Sequence, residues 1–177
     1  FFCYENNLSG PIPNFSDNCP DLVILKTERN QFTFEDVLPH FTANQQLIGG
    51  DFEYAPQDSI FADTLITSDS GTAVAIDLGI DEGITDNVYT WYKDGEVDTS
   101  ITGSNTRTFT DISPAAEGIY HVQVSNPGAP ELVLHSYPIR VGVCLAPVNI
   151  APTLCPGESL TVGSTVYNES NPNGTEV

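Results

Sequence analysis

The first 40 residues of the chain contain two copies of one pattern. Each copy has a short run with alternating inward residues, such as Cys3 in the first copy and Leu25 in the second, followed by an asparagine. The two asparagines, Asn6 and Asn30, lie 24 residues apart. Their amides can bond backbone groups that the turn leaves unpaired. Because one copy cannot bury its own apolar side, the pattern predicts turns that stack on one another.

This pattern resembles the leucine-rich repeat, whose consensus is L-x-x-L-x-L-x-x-N-x-L. The resemblance implies a solenoid, in which about three turns are usually needed for a stable stack, whereas two are visible here. The chain also begins inside a repeat, without Met and without a charged-then-apolar signal segment. We therefore expect it to be a mature or clipped portion of a longer protein.

The charge of the chain restricts its partners. With 24 acidic and 5 basic residues the net charge is −19, which argues against nucleic acid or an anionic membrane as a partner of a basic patch. No apolar run approaches the ~18 residues of a membrane span, so direct membrane insertion is not expected. The acidic residues are scattered through turns, which favours a solubilising surface.

Three acidic residues come close together in a predicted loop. Asp81, Glu82 and Asp86 could supply calcium oxygens, but the EF-hand order of ligands is missing. A solvated loop is the favoured interpretation. We expect no metal and no cofactor, with calcium at these three residues as the alternative.

The four cysteines form an early and a late pair. An even number in a chain that otherwise looks secreted favours disulfides, although spacing does not define connectivity. We expect Cys3 to pair with Cys19 and Cys144 to pair with Cys155. Two alternatives stay open, a free thiol at Cys3 and pairing of Cys155 with a cysteine beyond residue 177.

The periodicity changes along the chain and divides it into four parts. Residues 1–41 carry the two repeats, and 42–57 form a polar junction. Residues 58–143 have period-two runs separated by turn residues, the signature of an antiparallel sandwich. Residues 144–177 start another β-repeat. The fold class is therefore mainly β, with strands of the sandwich expected at 72–78, 87–93, 106–112, 118–125 and 132–141.

The central part resembles an immunoglobulin-like domain. Trp91-Tyr92-Lys93-Asp94-Gly95 is similar to the third strand with its core Trp, and Glu117-Gly118-Ile119-Tyr120 is similar to the tyrosine corner before the sixth strand. Val122 stands where antibody-type domains carry their second Cys. The resemblance implies a core around Trp91 and Tyr120 that is held by packing rather than by an inter-sheet disulfide.

The last part, 144–177, contains Cys155-Pro156-Gly157-Glu158-Ser159, which resembles the opening of a β-repeat in large secreted proteins of the Bacteroidota. The order of repeats, immunoglobulin-like sandwich and this β-repeat is similar to cell-surface proteins of that phylum. The resemblance implies an extracellular location. Ser59 and Thr64 fit the Asp-Ser/Thr-aliphatic pattern that these bacteria use for O-glycosylation, so we expect sugar at Ser59 or Thr64. Thr64 is favoured, because Ala62 and Asp63 before it indicate an accessible turn.

No catalytic signature is present in the sequence, since the nucleophile elbow, the zinc-protease motif, the phosphate loop and the dinucleotide fingerprint are all missing. We therefore do not expect an enzyme. Tyr92 should point outward beside the inward Trp91 and is the best candidate for a contact residue. These features favour a non-enzymatic structural or adhesive module of a bacterial surface protein, with other protein subunits or itself as partner, in a head-to-tail fibre. The alternative is an accessory segment of a larger secreted enzyme that binds a ligand or polysaccharide.

Overall fold

The computed structural model describes residues 1–47, 50–101, 103–144 and 154–172. The structure is mainly β, as the sequence predicts. It divides into a compact unit, Phe1–Leu145, and a second unit, Ala146–Val177. The first unit contains both the repeat-like part and the sandwich.

Three successive parallel rungs begin the first unit. Strand β1, Ile24–Lys26, pairs in parallel with β2, Asp51–Glu53, and Phe2 makes a parallel bridge to Lys26 on the other side. Leu25 is opposite Phe52 in this register, so the third rung follows the second by 27 residues. The segment 42–57, which the sequence presents as a junction, therefore contains a strand of the stack.

Asn30 connects the first two rungs from a completely buried position. Its Nδ2 donates to the carbonyl oxygens of Cys3 (2.8 Å) and Thr27 (2.9 Å), and its Oδ1 accepts from the backbone N–H of Leu8 (3.1 Å). Asn6, the equivalent residue one turn earlier, is exposed and donates to the carbonyl oxygens of Cys3 and Tyr4.

Gln57 takes the same place in the third turn. Its Oε1 accepts from the backbone N–H of Asn30 (3.0 Å), and its Nε2 donates to the carbonyl oxygens of Thr27 (3.0 Å) and Tyr54 (2.7 Å). A side-chain amide thus satisfies the backbone where each strand turns away, which a buried turn requires.

Short helices connect the rungs: α1, Phe15–Asn18, α2, Phe34–Val37, and α3, Phe41–Gln45, with a 3-10 turn at Leu38–His40. Asp36 accepts from the backbone N–H of Thr33 (3.0 Å) at the start of α2, so an otherwise unpaired donor is satisfied. Phe34 and Val37 of the same helix are completely buried. The helix therefore covers the apolar side of the stack.

The sandwich has a larger and a smaller sheet. The larger sheet has the order β3-β10-β8-β5-β6, with β9 also paired to β8, and the smaller one pairs β4 with β7. Strand β3 runs parallel to β10, whereas the other neighbours are antiparallel. The strands are β3 Thr64–Asp69, β4 Val74–Asp77, β5 Val88–Lys93, β6 Glu96–Val97, β7 Thr106–Phe109, β8 Gly118–Ser125, β9 Val133–His135 and β10 Ile139–Cys144.

The sandwich core surrounds Trp91 and Tyr120, each of which is 1% exposed. The Trp91 indole N–H donates to the carbonyl oxygen of Ser104 (2.8 Å), and the Tyr120 hydroxyl donates to that of Ala116 (2.8 Å). The second bond has the geometry of a tyrosine corner. Val122 is fully buried at the position of the missing cysteine. The two-layer order and these contacts give an immunoglobulin-like sandwich.

The second unit contains an antiparallel hairpin of β11, Leu160–Val162, and β12, Thr165–Tyr167. The Glu158 carboxylate accepts from the backbone N–H of Cys155 (2.8 Å) before this hairpin. None of the helices in the described part of the chain is long and apolar enough to cross a membrane.

Candidate binding face

The outward side of the larger sheet is the candidate binding face. Because side chains alternate along a strand, Val88, Thr90 and Tyr92 point away from the core that takes Tyr89 and Trp91. Strand pairing extends this side across the sheet. We define the binding face by the outward positions Leu65, Thr67, Asp69, Val88, Thr90, Tyr92, Val97, Ile119, His121, Gln123, Ser125, Val133, His135, Arg140, Gly142 and Cys144.

An aromatic pair lies at the centre of this face. Tyr92 and His121 are opposite each other on β5 and β8, and their rings stack with centroids 4.7 Å apart and planes 3° apart. The Tyr92 hydroxyl donates to Gln123 Oε1 (3.2 Å). Tyr92, the predicted contact residue, is therefore half-buried and held in one orientation. Such a side chain offers a large contact area with little freedom left to lose on binding.

Aliphatic side chains on the same side of the sheet are open to solvent. Leu65 is 67% exposed, Val88 54%, Val97 53% and Ile119 46%. They come from β3, β5, β6 and β8, so they extend over the whole width of the sheet. A group of exposed aliphatics around an aromatic centre is characteristic of a protein-binding surface.

The binding face differs in charge from the rest of the molecule. Among its outward positions only Asp69 is acidic, although the chain has 24 Asp and Glu. At the rim, Asp63 is paired with Arg140, and the Asp94 carboxylate accepts from the backbone N–H of Ile119 (2.9 Å). The face is thus almost free of the repulsive charge that the other surfaces carry.

Of the three alternative calcium residues, Asp81 is bonded within the protein. Asp81 is only 2% exposed, and its carboxylate accepts from the backbone N–H of Glu35 (2.8 Å) and from Asn87 Nδ2 (3.3 Å). Glu82 and Asp86 are exposed. In the described part of the chain no three His, Cys, Asp or Glu side chains are arranged to hold a metal ion. Asp81 instead joins α2 to the sandwich.

The predicted glycosylation sites lie where the chain enters the sandwich. Ser59 is half-buried in the segment that enters the sandwich. Thr64 was expected in an accessible turn, but it is the first residue of β3, is half-buried, and is opposite the buried Ile139. Its hydroxyl donates to the carbonyl oxygen of Ala62 (3.0 Å).

All four cysteines are free thiols in the structure, which differs from the expected disulfides. The Cys3 thiol donates to the carbonyl oxygen of Lys26 (3.3 Å), and burial raises the pKa of this thiol. This is the free Cys3 that the sequence leaves open as an alternative. Cys19 is exposed after α1, and Cys144 and Cys155 are exposed and belong to different units.

A cavity that the sequence did not indicate lies between β6 and β7. It has a volume of about 520 Å³, and Phe109 and Tyr120 are among its lining residues. Arg107 pairs with Asp98 (3.1 Å) in its wall, with the guanidinium 4.6 Å from the centre of the Phe109 ring. The sequence feature that could have indicated this cavity is Arg107, a basic residue within β7 of a very acidic chain.

Charge and hydrogen bonding determine the ionisation of Asp98. Burial alone would raise its pKa, but two hydrogen bonds from Ser100 and the positive charges of Arg107 and Lys93 outweigh burial and lower the pKa. The carboxylate therefore stays ionised beside Arg107. The pair forms part of the wall of the cavity.

No protein-family model matches the chain, and no curated protein matches it in sequence. Among solved structures it is similar to extracellular domains 3-5 of Drosophila OTK (16% identity, TM-score 0.38), to Duf (Kirre) D1 (14%, 0.39) and to immunoglobulin domains 1-5 of Sidekick-1 (10%, 0.34). These similarities cover 50%, 49% and 49% of this chain. They span 37%, 94% and 17% of the respective structures.

Proposed function

We propose that this chain is a non-enzymatic structural or adhesive module of an extracellular protein on a bacterial cell surface. Its partners are other protein subunits, which it contacts through the binding face. The observation that carries this proposal is that the face is poor in acidic residues and exposes aliphatic side chains, on a chain of net charge −19. A surface that only contacts water can carry acidic residues like the rest of the chain, whereas the centre of a protein-binding surface is depleted of charged residues.

The connection between the stack and the sandwich supports a mechanical role. Asn126 Nδ2 donates to Asn87 Oδ1 (2.8 Å), and Asn87 contacts Asp81, which accepts from the backbone of α2. Gly128 lies so close to Leu38 that an added Cβ would come within 2.9 Å of its side chain. Buried polar bonds and close packing of this kind hold two parts at a constant angle.

The same contacts restrict where ligands bind. They occupy the loops at one end of the sandwich, around Asp81 and Asn126, with residues of the stack and its helices. A ligand that approaches the sandwich from this end meets backbone and side chains that are already paired. The outward side of the larger sheet remains as the surface that a ligand can approach, which favours the binding face as the binding site.

We further propose that the three rungs are leucine-rich-repeat turns. Their parallel pairing, their steps of 24 and 27 residues, and the amides of Asn30 and Gln57 support this assignment. Together with the sandwich and the hairpin at 160–167, they support the module order of Bacteroidota surface proteins, and in that setting assembly into a fibre.

Electron microscopy of the native material tests the proposed function. Antibodies raised against this chain and coupled to gold should label the cell exterior, on filaments or a surface layer. Label confined to the cell interior would refute the proposal. Dispersed particles that carry activity toward polysaccharide would favour the alternative, an accessory segment of a secreted enzyme.

One observation favours that alternative, namely the stacked pair of Tyr92 and His121, because aromatic platforms also bind sugar rings. Retention on insoluble polysaccharide that Tyr92→Ala abolishes would support it. If neither the wild type nor Tyr92→Ala is retained, protein subunits stay as the proposed partners.

The proposed glycosylation has a separate test. Intact-glycopeptide mass spectrometry of protein from its native source should find hexose-containing mass at Ser59 or Thr64. Because the Thr64 hydroxyl is bonded and half-buried in the folded chain, sugar must be attached before β3 pairs or during local opening. Unmodified peptides that cover 57–67 completely would remove the glycosylation proposal.

A further inference from the structure

We propose that one partner of the binding face is a second copy of this chain, with the two faces packed against each other about a twofold axis. This inference rests on the proposed function and identifies its partner.

Charge favours this face over the other surfaces for self-association. Two molecules of net charge −19 repel each other, and contact through most surfaces would bring carboxylates together. At the binding face only Asp69 is acidic, and it lies near the end of β3, away from Tyr92 and His121. A basic partner would instead be drawn to the acidic surfaces, so the neutral face fits another acidic molecule.

The positions of the aliphatic residues suit a symmetric contact. Leu65 is on β3 and Val97 is on β6, the two edge strands of the larger sheet, with Tyr92 and His121 between them. A twofold axis along the strands places β3 of one copy opposite β6 of the other. Each copy then covers exposed aliphatic surface of its mate, as an isologous interface requires.

The size of the face predicts a weak dimer. Five strands at about 4.8 Å spacing and up to eight residues of length give a planar area of roughly 500 Å². A stable interface buries about 800 Å² on each partner, so this contact belongs to the transient class. Self-association should appear at high concentration in solution and gain strength where many copies share one surface.

Sedimentation velocity of the whole chain tests the inference. The weight-average sedimentation coefficient should increase with protein concentration, and more steeply at high salt, because salt screens the repulsion between acidic molecules. Val97→Asp adds a carboxylate to each face and should raise the dimer dissociation constant at least tenfold. Val23→Asp is the matched control, since Val23 is 49% exposed, lies outside the face, and should leave the constant unchanged.

Ile119→Asp repeats the test from a different strand, and circular dichroism establishes that each variant is folded. A chain that stays monomeric at all concentrations and at high salt would overturn self-pairing. Equal weakening by Val23→Asp and Val97→Asp would overturn it as well. If gold label still lies on filaments outside the cell, the proposed function survives that failure; if the label is intracellular, the proposed function fails on its own.

Discussion

Replacement of Asn30 by alanine is the most direct test of the stack. The side chain is completely buried, and its amide bonds four backbone groups, those of Cys3, Leu8, Thr27 and, at 3.3 Å, Glu28, whose carbonyl oxygen also accepts from the backbone N–H of Glu5. In Asn30→Ala the carbonyl oxygen of Cys3 keeps its bond from Asn6, and that of Thr27 keeps its bond from Gln57. The N–H of Leu8 loses the one side-chain acceptor that it has in the structure.

The expected cost follows from this difference. The two shorter carbonyl bonds, lost with partners still present, cost about 1 kcal/mol each, and one orphaned donor costs about 1–3 kcal/mol. The variant should therefore lose roughly 3–5 kcal/mol of unfolding free energy. Asn6→Ala is the matched control, because Asn6 is exposed, and it should cost under about 1 kcal/mol.

Urea unfolding followed by circular dichroism and by Trp91 fluorescence measures both variants. Because Asp81 and α2 join the sandwich to the stack, we expect both signals to shift to lower urea together. A loss below about 1 kcal/mol for Asn30→Ala would refute the reasoning, since the buried amide would then contribute no more than a solvated one. A shift in circular dichroism alone would show that the stack unfolds separately from the sandwich.

Three further predictions concern the core, a half-buried ion pair and the thiols. Trp91→Ala should destabilise the sandwich by about 3–5 kcal/mol in circular dichroism melts, and a loss below about 1 kcal/mol would contradict a core role. Because the fold lowers the pKa of Asp98 from 3.8, its contribution is complete above that pH and is lost as the pH falls through the folded pKa. The stability difference between the wild type and Asp98→Asn should shrink accordingly in urea titrations below about pH 4, and a difference that grows there would refute the assignment. Iodoacetamide mapped by mass spectrometry should alkylate exposed Cys19 faster than Cys3, whose thiol is bonded and has a raised pKa, whereas recovery of a Cys3–Cys19 disulfide would support the sequence expectation instead.

Local patterns predicted much of the fold. Period-two alternation indicated the strands that contain Trp91 and Tyr120, because one side of each strand is buried and the other is not. The 24-residue step indicated the place of Asn30. The third rung was not predicted, because its amide is Gln57 rather than asparagine and its inward residues are Phe52 and Tyr54 rather than leucine.

Long-range register determined the candidate site. The sequence showed that Tyr92 alternates with Trp91, which is a property of a single strand. It could not show that His121 stacks on Tyr92, since this depends on which strand pairs with β5 and at which residue. The same holds for Asp81, whose bond to the backbone of Glu35 joins residues 46 positions apart.

Composition and local periodicity therefore establish the mainly β class, the alternation within each strand and the excess of negative charge. Where that charge is missing depends on how the strands pair. Residues of one outward side come from six strands between Leu65 and Cys144, and no local pattern shows that acidic residues avoid them together. The physical reason is that alternation assigns a residue to one side of its own strand, whereas a surface forms only when hydrogen-bonded pairing brings distant strands into one sheet.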